Sequence, residues 1–116
     1  MSIPAIRIEE AALEPWQPDG VTIHEGEPNG RGYTLKETGD GSAFVGVYVF
    51  ECDPARTSYI LEQNEIIHCL EGEAEITLDD GNKVELSPGR VAVLPKGQTS
   101  HWWFKTRFKE LAIVAG

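Results

Sequence analysis

The sequence predicts an all-β fold, a single sandwich or barrel built from short strands. Three observations carry that expectation. From Val21 onward the chain reads as short strand-like runs separated by Gly-rich turns. Residues 65–97 form a strand meander whose turns are Asp79-Asp80-Gly81-Asn82 and Ser87-Pro88-Gly89. At 116 residues and 41% hydrophobic content the chain has the size of one domain, and no linker divides it.

Taken in order, residues 1–20 read as an N-terminal arm packing on a partner subunit, and residues 21–116 as the domain proper. In the arm, Ile3, Ile6 and Ile8 alternate in a strand-like way, and Glu9 to Leu13 has room for one helical turn before Pro15 stops it. Trp16 stands between Pro15 and Pro18, which favour an extended path, so its ring is expected to anchor the arm. Val21 to Glu25 and Tyr33 to Lys36 read as strands around a loop at Gly26–Gly30, and Gly39 to Ser42 as a turn. Ala43 to Glu51 carries apolar residues on both parities, the mark of a central strand or of one facing an oligomer partner. This strand and the arm predict a homodimer.

Thr57 to Leu61 is the next strand, and Glu62-Gln63-Asn64 turns the chain into Glu65. Period two then sends Glu65, Ile67 and Cys69 to one face and Ile66, His68 and Leu70 to the other. Glu73–Leu78 and Lys83–Leu86 pair as a hairpin; its aspartates serve the turn, since the spacing of a calcium loop is absent. Val91 to Leu94 reads as a buried strand and Pro95-Lys96-Gly97 as a tight bend. After that bend either Ser100, Trp102 and Phe104 face inward, or His101 and Trp103 do, because one loop residue switches the parity. Phe108 to Val114 is the last strand.

Glu65 lies seven positions before Gly72, Gly89 six before Pro95, and Pro95 two before Gly97. This spacing resembles the two motifs of the cupin superfamily, G-x5-H-x-H-x3-4-E-x6-G and G-x5-P-x-G-x2-H-x3-N. Glu65 and Gly72 match the end of the first, and Gly89, Pro95 and Gly97 the start of the second. Leu70-Glu71-Gly72-Glu73, Leu94-Pro95-Lys96-Gly97 and the nearby tryptophans are most similar to the small ureidoglycine-type and ethanolamine-utilisation-type cupins. The resemblance implies a single cupin-type jelly-roll β-barrel with Glu65 pointing inside. The histidines differ: the paired positions hold Tyr59 and Leu61, or Ser58 and Ile60, depending on the gap, and the second-motif position holds Ser100, with His101 one place late. A tyrosine and a leucine do not replace two imidazoles, so no metal and no cofactor is expected. Gly46-Val47-Tyr48 stands where these cupins often carry G-x-W, which makes Tyr48 a pocket residue.

The residues expected to contact a ligand are therefore Tyr48, Tyr59, Glu65, His101 and Trp103. A carboxylate aimed into an apolar barrel must be paired, hydrogen-bonded or protonated, which marks Glu65 as a site residue. Three functions compete: binding of a small polar metabolite, an aminohydrolase- or isomerase-like enzyme using Glu65 with or without an atypical metal shared with His101, and a non-catalytic structural or regulatory dimer with a filled barrel. His24 and His68 read as structural. The net charge of −9 argues against nucleic-acid and anionic-membrane partners. With no run of 18 apolar residues and no signal-like N-terminus, a cytoplasmic location is expected, with Cys52 and Cys69 as reduced thiols.

Overall fold

The computed structural model describes residues 5–116. Ile3, the first residue of the alternation expected in the arm, lies outside them. The described chain begins with a single 3-10 turn at Ile8–Glu10 and is otherwise built from eleven strands: β1 Glu14–Pro15, β2 Thr22–Gly26, β3 Arg31–Thr38, β4 Val45–Cys52, β5 Ala55–Ile60, β6 Asn64–Glu71, β7 Ala74–Leu78, β8 Lys83–Leu86, β9 Val91–Leu94, β10 Thr99–Phe104 and β11 Phe108–Ala115. A second 3-10 turn, Gly41–Ala43, joins β3 to β4.

Two antiparallel sheets face each other in jelly-roll fashion. One runs β1-β3-β4-β11-β6-β9 and the other β2-β5-β10-β7-β8. Apart from the β3–β4 and β7–β8 hairpins, consecutive strands alternate between the sheets, whose facing sides are buried against each other. β4 is central as expected, lying between β3 and β11 inside the larger sheet. β11 is equally interior, flanked by β4 and β6.

The core between the sheets is densest around the middle of β6, β7 and β10. Ile67, Ile76, Leu94 and Phe108 are completely buried there, each contributing about 2 kcal/mol of hydrophobic stabilisation. Cys52 and Cys69 are buried free thiols in the same cluster. The chain turns out of β6 at Gly72, whose φ of 85° favours glycine and whose missing Cβ leaves space for the Arg107 carbonyl oxygen. The β7–β8 hairpin closes as expected: Asp80 Oδ1 accepts from the Asn82 amide at 2.9 Å, and Asp79 Oδ2 accepts from the Thr99 amide at 2.9 Å.

The end of the arm docks on its own chain. Glu14 and Pro15 pair with Gly32 and Arg31 of β3, and the Trp16 amide donates to the Gly30 carbonyl at 2.9 Å. The indole stacks on Tyr48 at 6.1 Å and meets Phe50 edge-on at 5.9 Å. Gly46 makes this stack possible, because a Cβ there would collide with the Tyr48 ring two residues along the same face. Trp16 is thus an anchor, and the segment that follows it, residues 17–21, joins the wall of an interior cavity.

Candidate functional site

The barrel is not filled. Toward the arm, the two sheets diverge around a cavity of about 460 Å³, within the size range of small-molecule sites. Tyr48 and Phe50 of β4, Tyr59 of β5, Glu65 of β6, Trp102 of β10 and Glu110 of β11 contribute to its wall. The six come from five strands, and each faces inward because its strand's other parity is turned to the outside.

Glu65 and Tyr59 meet. The Tyr59 hydroxyl donates to Glu65 Oε1 at 2.8 Å. Burial raises the Glu65 carboxyl above its ordinary range, while this hydrogen bond to the charged form pulls the other way. Burial, followed by the nearby charges of Glu65 and Glu110, lifts the Tyr59 phenol well above its usual value, so Tyr59 remains a donor. Tyr48 bonds outward from the cavity wall: its hydroxyl donates to Glu37 Oε2 at 2.7 Å, and burial together with that carboxylate pushes its phenol up to about 12.

Glu110 is the residue that the sequence reading missed. It is 5% exposed, and no described residue donates a hydrogen bond or offers a cation to its carboxyl, which borders the cavity. Burial, and then the charge of Glu65, push it up to about 8. Glu110 therefore keeps its proton at neutral pH. Glu65 sits beside Val114, four residues along β11 from Glu110, so the two side chains enter the cavity from levels about 13 Å apart along the strands. The signal in the sequence was a lone acid on the Phe108, Ala112, Val114 parity of the last strand. It was illegible because the opposite parity, Leu111 and Ile113, is as apolar.

The register of β10 decides the parity left open above. Ser100 pairs with Tyr59 and Trp102 with Thr57 and Ile76, all inward residues, so Ser100, Trp102 and Phe104 point inside. The Trp102 indole N–H donates to Ser100 Oγ at 3.0 Å, and the Ser100 hydroxyl donates to the Tyr59 carbonyl at 2.9 Å. Burying this indole with its one donor satisfied is the favourable choice. His101 and Trp103, expected at the ligand, therefore lie on the opposite face of the sheet, 53% exposed at the His101 side chain and 37% exposed at Trp103. Trp103 is flanked by the Arg56 guanidinium at 4.2 Å and the Lys105 ammonium at 4.6 Å. His101 Nε2 lies 3.8 Å from Asp79 Oδ1. Of the five expected site residues, the structure brings Tyr48, Tyr59 and Glu65 to one cavity and leaves His101 and Trp103 outside it.

The same parities test the fit of a metal. On β5, Tyr59 and the residue after the strand, Leu61, face inward, whereas Ser58 bonds to His24 Nε2 at 2.6 Å and Ile60 is exposed. The positions that carry ligands in metal cupins thus hold Tyr59, Leu61, Glu65 and Ser100. Tyr59 and Ser100 are committed to hydrogen bonds and Leu61 has no donor atom. Among the described residues no group of three His, Cys, Asp or Glu converges on one point. An atypical pair of Glu65 with His101 is excluded by the sheet between them. These residues do not fit a histidine-held metal. His68 also faces outward, paired with Val91 and Leu111.

Comparison with known proteins bears on the fold. A family model for EutQ-like cupin domains matches residues 39–110. No curated protein matches the chain. Solved structures with the same fold include the Clostridium difficile EutQ protein, 22% identical over 80% of this chain and 74% of that one, with a TM-score of 0.60. The polyketide cyclase RemF from Streptomyces resistomycificus is 19% identical over 98% of this chain and 80% of that one, with a TM-score of 0.71. KdgF from Halomonas is 18% identical over 94% and 91%, with a TM-score of 0.66. At these identities the likeness is one of fold.

Proposed function

The chain belongs to the EutQ-like cupin family, and we propose that it binds a small polar metabolite in its barrel through Glu65, Tyr59 and Glu110. The observation that carries this reading is the open cavity of about 460 Å³ with the half-buried Glu65 and the buried Glu110 carboxyls in its wall. Burying an acid without a partner is costly, and a purely structural barrel would gain stability by filling the space with apolar side chains. Native mass spectrometry of protein purified from its source tests the proposal. A retained small molecule is expected, and Ala112→Phe, which fills the cavity from β11, should abolish it. A bare polypeptide mass, or an adduct indifferent to Ala112→Phe, overturns it.

A catalytic reading has one specific observation behind it. An ionised Glu65 and a protonated Glu110 facing one cavity supply a base and an acid together, the pairing that isomerase- or aminohydrolase-like chemistry needs. In this reading Glu65 takes a proton from the bound molecule, Glu110 gives one, and Tyr59 holds Glu65 in place. Incubating the retained molecule with the protein in heavy water checks it. Deuterium entering a carbon position, or release of ammonia, is expected; neither outcome occurring removes the catalytic reading and leaves binding.

We also propose that the molecule acts as a homodimer through the outer face of the larger sheet. Val47, Ile113, Ile66 and Val93 stand side by side across four strands there, followed by Leu111, His68 and Val91, the Val49 of that row being already buried within the chain. Neither row carries a carboxylate, so two chains of net charge −9 can meet on it without apposing their acids. Val91 and Val93 are 61% and 65% exposed in one chain. Light scattering at micromolar concentration is expected to give twice the chain mass. No helix among the described residues is long and apolar enough to cross a membrane, and two buried free thiols suit the reducing cytoplasm.

A further inference from the structure

The wall of the cavity is chemically one-sided. Besides Glu65 and Glu110, the exposed carboxylates of Asp19, Glu37 and Glu62 border it, and no Lys, Arg or His among the described residues does. Several cations of the chain are paired on other surfaces. Arg31 pairs with Glu51 and Asp53, and Arg107 with Glu51 and Glu71. Lys83 and Lys105 pair with Glu75 on the outer face. The remainder of the cavity wall is largely aromatic, with Trp16, Tyr48, Tyr59 and Trp102 among its rings.

Each class of ligand meets this wall differently. An anion would enter a low-dielectric space already holding the Glu65 charge, which repels it. A neutral molecule with an O–H or N–H group can donate to Glu110 but leaves the Glu65 charge without a counterion. A protonated amine meets both needs, since its N–H groups are donors, its charge is opposite, and its hydrocarbon part packs on π-faces that favour cations. Glu110 is the natural seat, because Glu65 already accepts from Tyr59 whereas Glu110 accepts from no described residue.

We propose that the cavity selects a small organic ammonium ion, held by Glu110 under the field of Glu65, with its carbon skeleton against the rings of Tyr59 and Trp102. The inference rests on the binding reading above and adds the substrate class. Proton balance follows. Glu110, pushed up to about 8 by burial and the Glu65 charge, holds its proton in the empty cavity at neutral pH. When the ammonium ion docks, that proton leaves to solvent, and the complex is a carboxylate–ammonium pair.

Three isosteric probes decide the matter: benzylamine, benzyl alcohol and benzoate, titrated calorimetrically into the intact protein at neutral pH. Benzylamine is expected to bind about tenfold or more tightly than benzyl alcohol, with benzoate weakest. Repeating the titration in two buffers of different ionisation enthalpy should reveal release of about one proton per amine bound, with affinity rising as pH approaches 8. Glu110→Gln should bring the amine to within about threefold of the alcohol without weakening the alcohol. If the alcohol or benzoate binds as well as the amine to the wild-type protein, or if no proton is released, the ammonium proposal falls while the cavity remains a binding site. If none of the three binds, both readings fall together. Proton release is measured on the wild-type protein, so the test survives a variant that does not fold.

Discussion

At Glu110 burial gives the pH dependence of stability an unusual sign. Its ordinary value of 4.5 in the unfolded chain becomes about 8 in the fold. Between these values the unfolded chain has lost the proton and the folded chain keeps it, so stability falls as pH rises through the window and levels off above about 8. Below the ordinary value both states are protonated and Glu110 contributes no slope. Glu51 acts oppositely and in a lower range. Burial works against its ionisation, but hydrogen bonds from Arg31 and Arg107 hold its carboxyl below the usual value, so its contribution is lost as pH falls. In urea unfolding Glu110→Gln should therefore match wild type near pH 4 and be the more stable by about 4 kcal/mol near pH 8. A parallel pair of pH curves would mean that Glu110 is not buried as described. Tyr59→Phe probes its neighbour. Loss of the donor to Glu65 should cost about 1–2 kcal/mol and move the Glu65 titration, followed by carboxyl carbon NMR, to higher pH. An unmoved titration would refute the hydrogen bond.

Among the elements, β10 carries the clearest contrast, since adjacent tryptophans of one strand meet opposite environments. Trp102 is 3% exposed and stacks on Tyr59 and Phe104, whereas Trp103 rests on the surface between two cations. Trp102→Ala should cost about 3–5 kcal/mol and Trp103→Ala about 1 kcal/mol, judged by chemical unfolding. The reverse ranking would place β10 in the other parity and would return His101 to the cavity. The strap from Trp16 to Val21 is a different sort of element. It has no strand partner beyond the pairing at β1, and its position over the cavity depends on the Trp16 ring lying against Tyr48 and Phe50.

For the whole molecule, the proposed dimer rests on the outer face of the larger sheet. Val93→Glu places a charge at the β9 end of an apolar row while disturbing little inside the chain, because Val93 is 65% exposed. Light scattering should find the wild type dimeric and this variant monomeric at the same concentration, with a thermal midpoint that differs only by the lost association. A monomeric wild type would leave this face without the proposed partner.

What the sequence determined by itself is what local periodicity and turn chemistry control. The strands between Glu65 and Leu94 and the hairpin at residues 79–82 were legible, since a two-residue repeat and a glycine turn need only near neighbours. The inward course of Tyr48 and Glu65 and the loss of the paired histidines were legible only through the resemblance to the cupin motifs. Tertiary structure decided the rest. The inward phase of β10 depends on pairing with β5 and β7, so it turns on one residue of the preceding loop, and this is what moved His101 and Trp103 out of the site. Glu110 became a site residue only when β11 took its place between β4 and β6, for its strand is apolar on both faces and its alternation names no inside. The cavity itself has no sequence signature, because it is the space that two diverging sheets and a tryptophan-anchored strap leave unfilled.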